Sequence, residues 1–357
     1  MKLGIFGGAF NPPHIGHVQA AEKAVMENKL DLLLVIPTGI PPHKSLPDNT
    51  PDPEMRLQMT INAFNKLDQI KISDMEIYSK NVNYTIDTLT AVRVEHPAAE
   101  IFLLVGNDMY DSLDSWKDSR DLLQMVTPVL LSREVIMISS SELRQMLPLR
   151  RGCEYITGSN YSYIIKHRLY GAKPDWEWLK ARARSMLDPN RIPHVDACET
   201  EAVRLAERWG ADCDDAREAA ILHDITKKLD FTENLCIIAE HGINIGILGQ
   251  GEEKLLHSIT GAALARSEFG VSQSVADAIK WHTTGRAGMS MLEKIIYIAD
   301  YIEATRDFPG VRELRKSAYS NIDEAMITGL EMTVNDLKSR GITPNISIYE
   351  ALNDLIY

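Results

Sequence analysis

The run Gly-Ile-Phe-Gly-Gly-Ala-Phe-Asn-Pro-Pro-His-Ile-Gly-His at residues 4–17 limits what this chain can fold into more than any other stretch. It follows a short apolar segment, Lys2–Phe6, and precedes an amphipathic one, Ile15–Asn28. The run therefore reads as a strand, a glycine loop and a helix start. Gly7 and Gly8 let the backbone turn tightly and come close to a ligand. His14 and His17 fall at the start of the helix, where backbone N–H groups and the helix dipole favour phosphate. Two imidazoles three residues apart on one first turn can both donate to a polyphosphate.

The alternation begun there continues for half the chain. Strand patterns at Leu3–Phe6, Leu32–Ile36, Ile70–Ser73, Ile101–Val105 and Pro128–Leu131 are separated by helical ones at Ile15–Asn28, Pro53–Lys66, Ile86–Glu95 and near Leu122. Short aliphatic strands between amphipathic helices imply a parallel sheet covered on both faces, with ligands at the carboxyl ends of its strands. After about Gly171 the texture changes to helical periodicities at Asp196–Trp209, Asp214–Leu229, Lys254–Glu268, Ser272–His282, Met291–Thr305 and Ile322–Arg340. The stretch Tyr170-Gly-Ala-Lys-Pro-Asp punctuates the change. An α/β domain over 1–172 and an all-α domain over 173–357 are expected, in keeping with a length of 357 residues.

A net charge of −12 argues against a general nucleic-acid binder, because nothing on that scale would neutralise a phosphate backbone. Local clusters of His, Lys and Arg can still bind small anions. The four cysteines (Cys153, Cys198, Cys213 and Cys236) are scattered, as free thiols of a reducing compartment would be. No apolar run approaches the ~20 residues that cross a bilayer. The expectation is a cytoplasmic protein without a membrane or nucleic-acid partner.

The G-x-F-N-P-P-H-x-G-H string from Gly8 to His17 resembles the signature of nucleotidylyltransferases, most closely bacterial nicotinate-nucleotide adenylyltransferases. That resemblance implies a Rossmann-like domain that joins ATP to nicotinate mononucleotide, giving deamido-NAD and pyrophosphate, with Mg²⁺ accompanying the ATP. It places Gly7, Gly8, Phe10 and Asn11 in the nucleotide loop and His14 and His17 on the α/β-phosphates. Lys44, in Pro41-Pro42-His43-Lys44, would add a point charge. Thr85, in Tyr84-Thr85-Ile86-Asp87-Thr88-Leu89, is well placed as a helix cap and belongs to a region that lines the family's nicotinate pocket. Gly106 and Asp108 follow the fourth strand, where the family more often has Ala at position 107, and Trp116 would be an aromatic wall. Ile138-Ser139-Ser140-Ser141-Glu142-Leu143-Arg144 is similar to the family's ATP-phosphate element ISSTxIR, so Ser139, Ser140 and Arg144 join the set. A capping box alone would account for its serines and Glu142. Arg56-Leu57-Gln58-Met59 is a further landmark. One departure is that only Glu134–Met137 separate Arg133 from the serine element, where the family has a loop and a strand.

In the helical half the notable pair is His223-Asp224. Ala216, Ala219, Ala220 and His223 share one face, and these small neighbours would leave room for a ligand. His194, His257 and His282 fall on other segments, and Asp300 lies toward an apolar helix face, where an unpaired charge would be costly. Singly, each histidine is more often structural. Together they suit a divalent first-row metal with positions left for water and substrate. The order His…His-Asp…His…His…Asp resembles HD-domain metal phosphohydrolases, and Arg191, Lys227, Thr283 and Arg306 narrow the likeness to the symmetrical bis(5′-nucleosyl)-tetraphosphatases. By that resemblance His194, His223, Asp224 and Asp300 hold the metal, iron or another divalent first-row ion. His257 and His282 would lie near the reacting water or a second metal, and Arg191, Lys227, Thr283 and Arg306 would contact polyphosphate. The implied reaction is attack of water on the central anhydride of diadenosine tetraphosphate, giving two ADP, with Asp224 and Lys227 among the catalytic groups. Two alternatives stand beside this reading: a first domain that only senses nucleotide, and a helical domain that cleaves another nucleotide phosphoester. A homo-oligomer is compatible with either.

Overall fold

The computed structural model describes residues 1–42, 46–65, 67–79, 81–131, 138–246 and 252–357, without the side chains of Asp108 and Glu252. The chain forms two compact units, Met1–Asp175 and Trp176–Tyr357. Residues just before the division are fastened to the first unit: Lys173 N–H donates to Leu147 O at 3.1 Å, and Asp175 N–H donates to the Tyr161 hydroxyl at 2.8 Å.

The first unit is built on β1 (Lys2–Gly8), β2 (Leu32–Pro37), β3 (Ile70–Ile72), β4 (Glu100–Val105) and β5 (Thr127–Leu130), ordered β3-β2-β1-β4-β5. Every pairing is parallel, with Gly4 opposite both Leu33 and Phe102. Its helices are α1 (Ile15–Asn28), α2 (Pro53–Phe64), α3 (Thr85–Glu95), α4 (Asn107–Tyr110), α5 (Ser119–Met125), α6 (Ser140–Met146) and α7 (Gly158–Lys166). Alternate strand residues feed two cores. Leu3, Ile5, Ile36, Ile101 and Leu103 meet Leu89 and Val92 of α3 and Leu122 of α5 on one face. Leu33, Val35, Phe102 and Leu104 meet Ala21, Ala24 and Val25 of α1 and Phe64 of α2 on the other. Burial on both sides is why the strands read as continuous aliphatic runs. The chain lays β2 and β3 on one side of β1, then crosses to β4 and β5, so the crevice at the switch point opens beside the glycine loop.

The second unit is helical: α8 (Trp176–Met186), α9 (Ile192–Trp209), α10 (Cys213–Leu222), α11 (Phe231–Glu240), α12 (Leu256–Phe269), α13 (Gln273–Trp281), α14 (Met291–Ile302), α15 (Val311–Ser320), α16 (Ile322–Ser339) and α17 (Ile346–Ile356). One core joins α9, α10, α13, α14 and α16. Helix α9 starts earlier than the expected Asp196, because Pro193 fits a first turn that needs no backbone donor. Helix α10 stops at Leu222 rather than Leu229. There the His223 ring takes up the Ala220 carbonyl at 2.7 Å, and the backbone tightens into turns such as Lys227 N–H to Asp224 O at 2.8 Å. The alanines Ala216, Ala219 and Ala220 are fully buried among core side chains, so they serve close helix packing rather than leaving space for a ligand. All four cysteines are free, and among the described residues no helix is long and apolar enough to cross a membrane.

Candidate functional sites

In the first unit a cavity of about 660 Å³ opens at the switch point. Of the expected residues Gly7, Gly8, Phe10, Asn11, His14 and His17 line it from the first loop and helix, and Thr85, Gly106, Ser139, Ser140 and Arg144 line it from the later elements. Trp116 is not among the described lining residues. It packs against the core that includes Leu113, with its indole N–H 3.4 Å from Ser112 Oγ. Lys44 and the shortened segment 134–137 lie outside the described residues, as does the side chain of Asp108, whose backbone is in α4. Thr85 is the first residue of α3, and Tyr84 occupies the cap position.

His14 caps α1, and its backbone N–H donates to His17 Nδ1 at 3.2 Å. An accepting Nδ1 puts the proton of a neutral His17 ring on Nε2, which makes this cavity-lining residue an N–H donor. The loop itself is held by its carbonyls. Arg56 Nη1 donates to Ala9 O at 3.0 Å, Arg144 Nη1 to Asn11 O at 2.6 Å, Ser140 Oγ to Pro12 O at 2.8 Å and Asn160 Nδ2 to Pro13 O at 3.4 Å. The Tyr170 hydroxyl adds a 2.7 Å bond to Asn11 Oδ1. Each donor takes a carbonyl or amide oxygen that would otherwise repel an anion, and together they fix the loop at a charged ligand's expected position. Ser140 and Arg144 therefore touch the loop directly, and Ser139 completes a capping box with Glu142. Asn160 and Tyr170 had no role in the sequence reading, and Arg56 entered it only within the landmark Arg56-Leu57-Gln58-Met59. Arg56, Asn160 and Tyr170 lie 47, 147 and 159 residues from the loop residues they hold, and no local pattern signals that contact.

The second unit brings four histidines and two aspartates together. His194 Nε2 lies 3.3 Å from His223 Nε2 and 3.0 Å from Asp300 Oδ1. His257 Nε2 lies 3.3 Å from His282 Nε2. Asp224 sits between the two pairs, Oδ2 at 3.3 Å from His223 Nε2 and Oδ1 at 3.3 and 3.7 Å from the Nε2 atoms of His257 and His282. One ligand atom from each of His194, His223 and Asp224 falls within 4.8 Å of the others, and the same holds for His223, His282 and Asp300 and for Asp224, His257 and His282.

The tautomers follow from the other ring nitrogens. Nδ1 of His223 meets Ala220 O at 2.7 Å, that of His257 meets Lys254 O at 2.6 Å and that of His282 meets Ile279 O at 2.7 Å. Nδ1 of His194 meets Glu303 Oε1 at 3.0 Å. Carbonyl and carboxylate oxygens only accept, so each Nδ1 carries a proton, and in the neutral form each ring turns its Nε2 lone pair inward. Facing lone pairs 3.3 Å apart repel unless a cation lies between them. Asp224 Oδ1 is buried with no hydrogen-bond donor among the described residues, which also fits a cation. Burial works against ionising Asp224, yet His223, His257 and His282 hold its carboxyl well below the usual range. Asp300 is held low against the same burial by His194 and His223, while burial pushes His257 down to about 4. Asp224 in turn raises the pKa of His223 against its burial, and metal binding takes the ionised carboxylates with neutral imidazoles.

Arg191 Nε donates to Asp224 Oδ2 at 2.6 Å, and Arg306 Nη2 donates to Asp300 Oδ1 at 2.7 Å. Lys227 Nζ lies 3.0 Å from His257 Nε2, and burial lowers its pKa. Thr283 stands at the edge, its hydroxyl 3.4 Å from Ser258 Oγ. Glu303 was absent from the sequence reading. It is fully buried, and Thr305 anchors it through a 2.6 Å bond to the oxygen that meets His194.

Comparison with known proteins gives two family matches, Cytidylyltransferase-like over residues 5–146 and HD domain over residues 191–305. The chain is 41% identical to the symmetrical bis(5′-nucleosyl)-tetraphosphatase of Bacillus subtilis (strain 168), over 43% of this chain and 83% of that protein. It is 32% identical to a protein of Oceanobacillus iheyensis named probable nicotinate-nucleotide adenylyltransferase, over 48% of this chain and 97% of that one. A Mycoplasma genitalium protein named probable nicotinate-nucleotide adenylyltransferase/Ap4A hydrolase is 26% identical over 94% of this chain and 99% of its own length.

Proposed function

Because the chain belongs both to the nicotinate-nucleotide adenylyltransferases and to the symmetrical bis(5′-nucleosyl)-tetraphosphatases, we propose that it is a bifunctional enzyme with one activity in each unit. The observation that carries this reading is a relative matching nearly the whole chain whose name joins the same two activities.

For residues 1–175 the reaction is transfer of adenylate from ATP to nicotinate mononucleotide. A phosphate oxygen of the mononucleotide attacks the α-phosphorus of ATP in line, the bond to the β-phosphate bridging oxygen breaks, and pyrophosphate leaves. Positioning and charge stabilisation are the protein's whole contribution. His17, with its donor set by the His14 N–H, and His14 at the helix N-terminus stabilise charge on the α- and β-phosphates. The serine element and Arg144 close the ATP side. Mg²⁺ would accompany the nucleotide, supplying charge neutralisation at its phosphates.

For residues 176–357 the reaction is hydrolysis of the central anhydride of diadenosine tetraphosphate, giving two ADP. His194, His223, Asp224 and Asp300 fit one divalent ion, and Asp224, His257 and His282 fit a second. Asp224 presents one oxygen to each histidine pair, so it would serve both groups of ligands. Iron is the ion we assign. A first-row divalent ion bound there supplies Lewis acidity and an acidified water. Asp224 supplies the shared negative charge, Glu303 orients the His194 ring, and Lys227, Arg191 and Arg306 hold phosphate oxygens, the two arginines also keeping the carboxylates in place.

The test is a pair of assays on the purified chain with metal analysis by mass spectrometry. Deamido-NAD and pyrophosphate should form from ATP plus nicotinate mononucleotide, and ADP should be the single nucleotide product from diadenosine tetraphosphate. Release of AMP and ATP from the latter would refute symmetrical cleavage. Failure to release pyrophosphate would leave the first unit a nucleotide sensor.

A further inference from the structure

The first unit's cavity is lined by one carboxylate among the described residues, that of Glu76. It stands in the segment after β3. Its exposure is 8%. Oε1 accepts from the Thr88 hydroxyl at 2.6 Å, whereas Oε2 is buried and accepts no hydrogen bond from the described residues. Such an oxygen is costly to leave unpaired, because a carboxylate needs donors to replace the water it loses. Burial pushes the Glu76 carboxyl up, against the smaller lowering by the Thr88 and Thr38 hydroxyls.

The seat of this carboxylate is rigid. Gly39 lies so close that a Cβ there would fall 2.2 Å from the Glu76 carbonyl oxygen. Ile40 N–H donates to Asn83 Oδ1 at 2.9 Å, and Asn83 N–H returns to Ile40 O at 3.0 Å. Buried Arg56 grips the Thr38 and Gly39 carbonyls at 2.6 and 3.0 Å with the same guanidinium that holds Ala9. An acceptor fixed in this way, in a cavity otherwise furnished with donors for anions, is placed for a ligand that donates.

We propose that Glu76 is the acceptor for ribose hydroxyls of a nucleotide bound in this cavity, with Oε2 receiving the bond while Thr88 holds Oε1. Phosphates and carboxylates of the ligands only accept, so they cannot satisfy it. The vicinal hydroxyls of a ribose are neutral donors at the right spacing for one carboxylate. Both nucleotides of the transfer reaction carry them, so the test has an arm for each. This inference rests on the adenylyl-transfer reading for its two ligands.

The experiment compares ribose with deoxyribose forms of each substrate, one at a time, in wild-type protein and in Glu76→Gln. With one of the two substrates, the wild type should prefer the ribose form by about tenfold to a hundredfold in kcat/KM, the range of a hydrogen bond to a charged group. In Glu76→Gln that preference should fall toward unity, while the other substrate's ratio stays unchanged. Glu76→Asp keeps the charge but shortens the reach, so it should lose the preference too, and it replaces the glutamine variant if that one does not fold. The same ratios are measurable by binding titration of ATP and of nicotinate mononucleotide. A chain that binds both but makes no product would therefore refute the transfer reading and still decide the role of Glu76. Ribose preferences unchanged in a folded variant, for both substrates and by both measurements, would overturn the proposal.

Discussion

In the proposed function the glycine–histidine loop of the first unit and the histidine–aspartate centre of the second both hold polyphosphate, and they are built in opposite ways. In the helical unit the chemistry is carried by buried side chains, and the backbone orients them. Three of its four histidines rest Nδ1 on a carbonyl three residues earlier, and the fourth rests on Glu303. In the α/β unit the ligand-facing element is backbone, and side chains orient it: Arg56, Arg144, Ser140 and Asn160 each hold a loop carbonyl. A centre of the first kind fails when a reacting group is removed. One of the second kind should degrade by steps, because several anchors share the load.

The largest expected effect is at Asp224, where Asp224→Ala should bring hydrolysis of diadenosine tetraphosphate to background and lower the metal-to-protein ratio, with adenylyl transfer intact. The carboxylate is within 3.9 Å of the Nε2 atoms of all four histidines, so its loss removes the charge that both pairs share. Full metal occupancy and turnover in this variant would show the histidines to be structural. Next comes His17→Ala, for which transfer should fall by ~10²–10³, the usual loss of one oxyanion donor, while hydrolysis continues. Wild-type transfer would remove His17 from the phosphate site and with it the contrast between the two constructions.

Glu303→Gln sharpens the comparison from the helical side. It leaves every inward-facing nitrogen in place but weakens the carboxylate that fixes the His194 tautomer. Metal affinity or turnover should drop by ~10–100-fold, read by competition with a chelator. An unchanged affinity would mean that the carbonyl contacts of the other three rings suffice.

The two constructions also differ in how far the sequence reveals them. His194, His223, Asp224, His257, His282 and Asp300 announce themselves by residue type and order, and the strand–loop–helix opening announces the parallel sheet. The end of α10 was not legible, because a buried histidine competing for the Ala220 carbonyl overrides a helical periodicity that runs on to Leu229. Ser140 and Arg144 were legible as part of the serine element, but the anchoring roles of Arg56, Asn160 and Tyr170 were not. Arginine, asparagine and tyrosine are ordinary residues at positions 56, 160 and 170, and what distinguishes them is a long-range approach that only the folded sheet creates. The small face of α10 misled for a related reason, since alanines serve close helix packing as well as they make room.

Tyr170→Phe is the mildest test and the one aimed most directly at the graded behaviour of the loop. The substitution removes a single hydroxyl, donated to Asn11 Oδ1 at 2.7 Å, from a site where both residues are buried. Asn11 keeps its bond from Nδ2 to Thr50 Oγ1 at 2.9 Å, and the Arg144 grip on its carbonyl is untouched. The loss should therefore cost about 1–3 kcal/mol, the range for a buried acceptor left without a donor. The melting transition of the first unit should fall accordingly, with a severalfold decrease in kcat for transfer and no change in hydrolysis. A lower melting temperature with unaltered kcat would mean that the four carbonyl anchors set the loop by themselves, leaving Tyr170 a packing residue. A collapse of kcat as deep as that of His17→Ala would mean the opposite: the loop depends on one bond, and the stepwise failure expected of a shared scaffold is wrong.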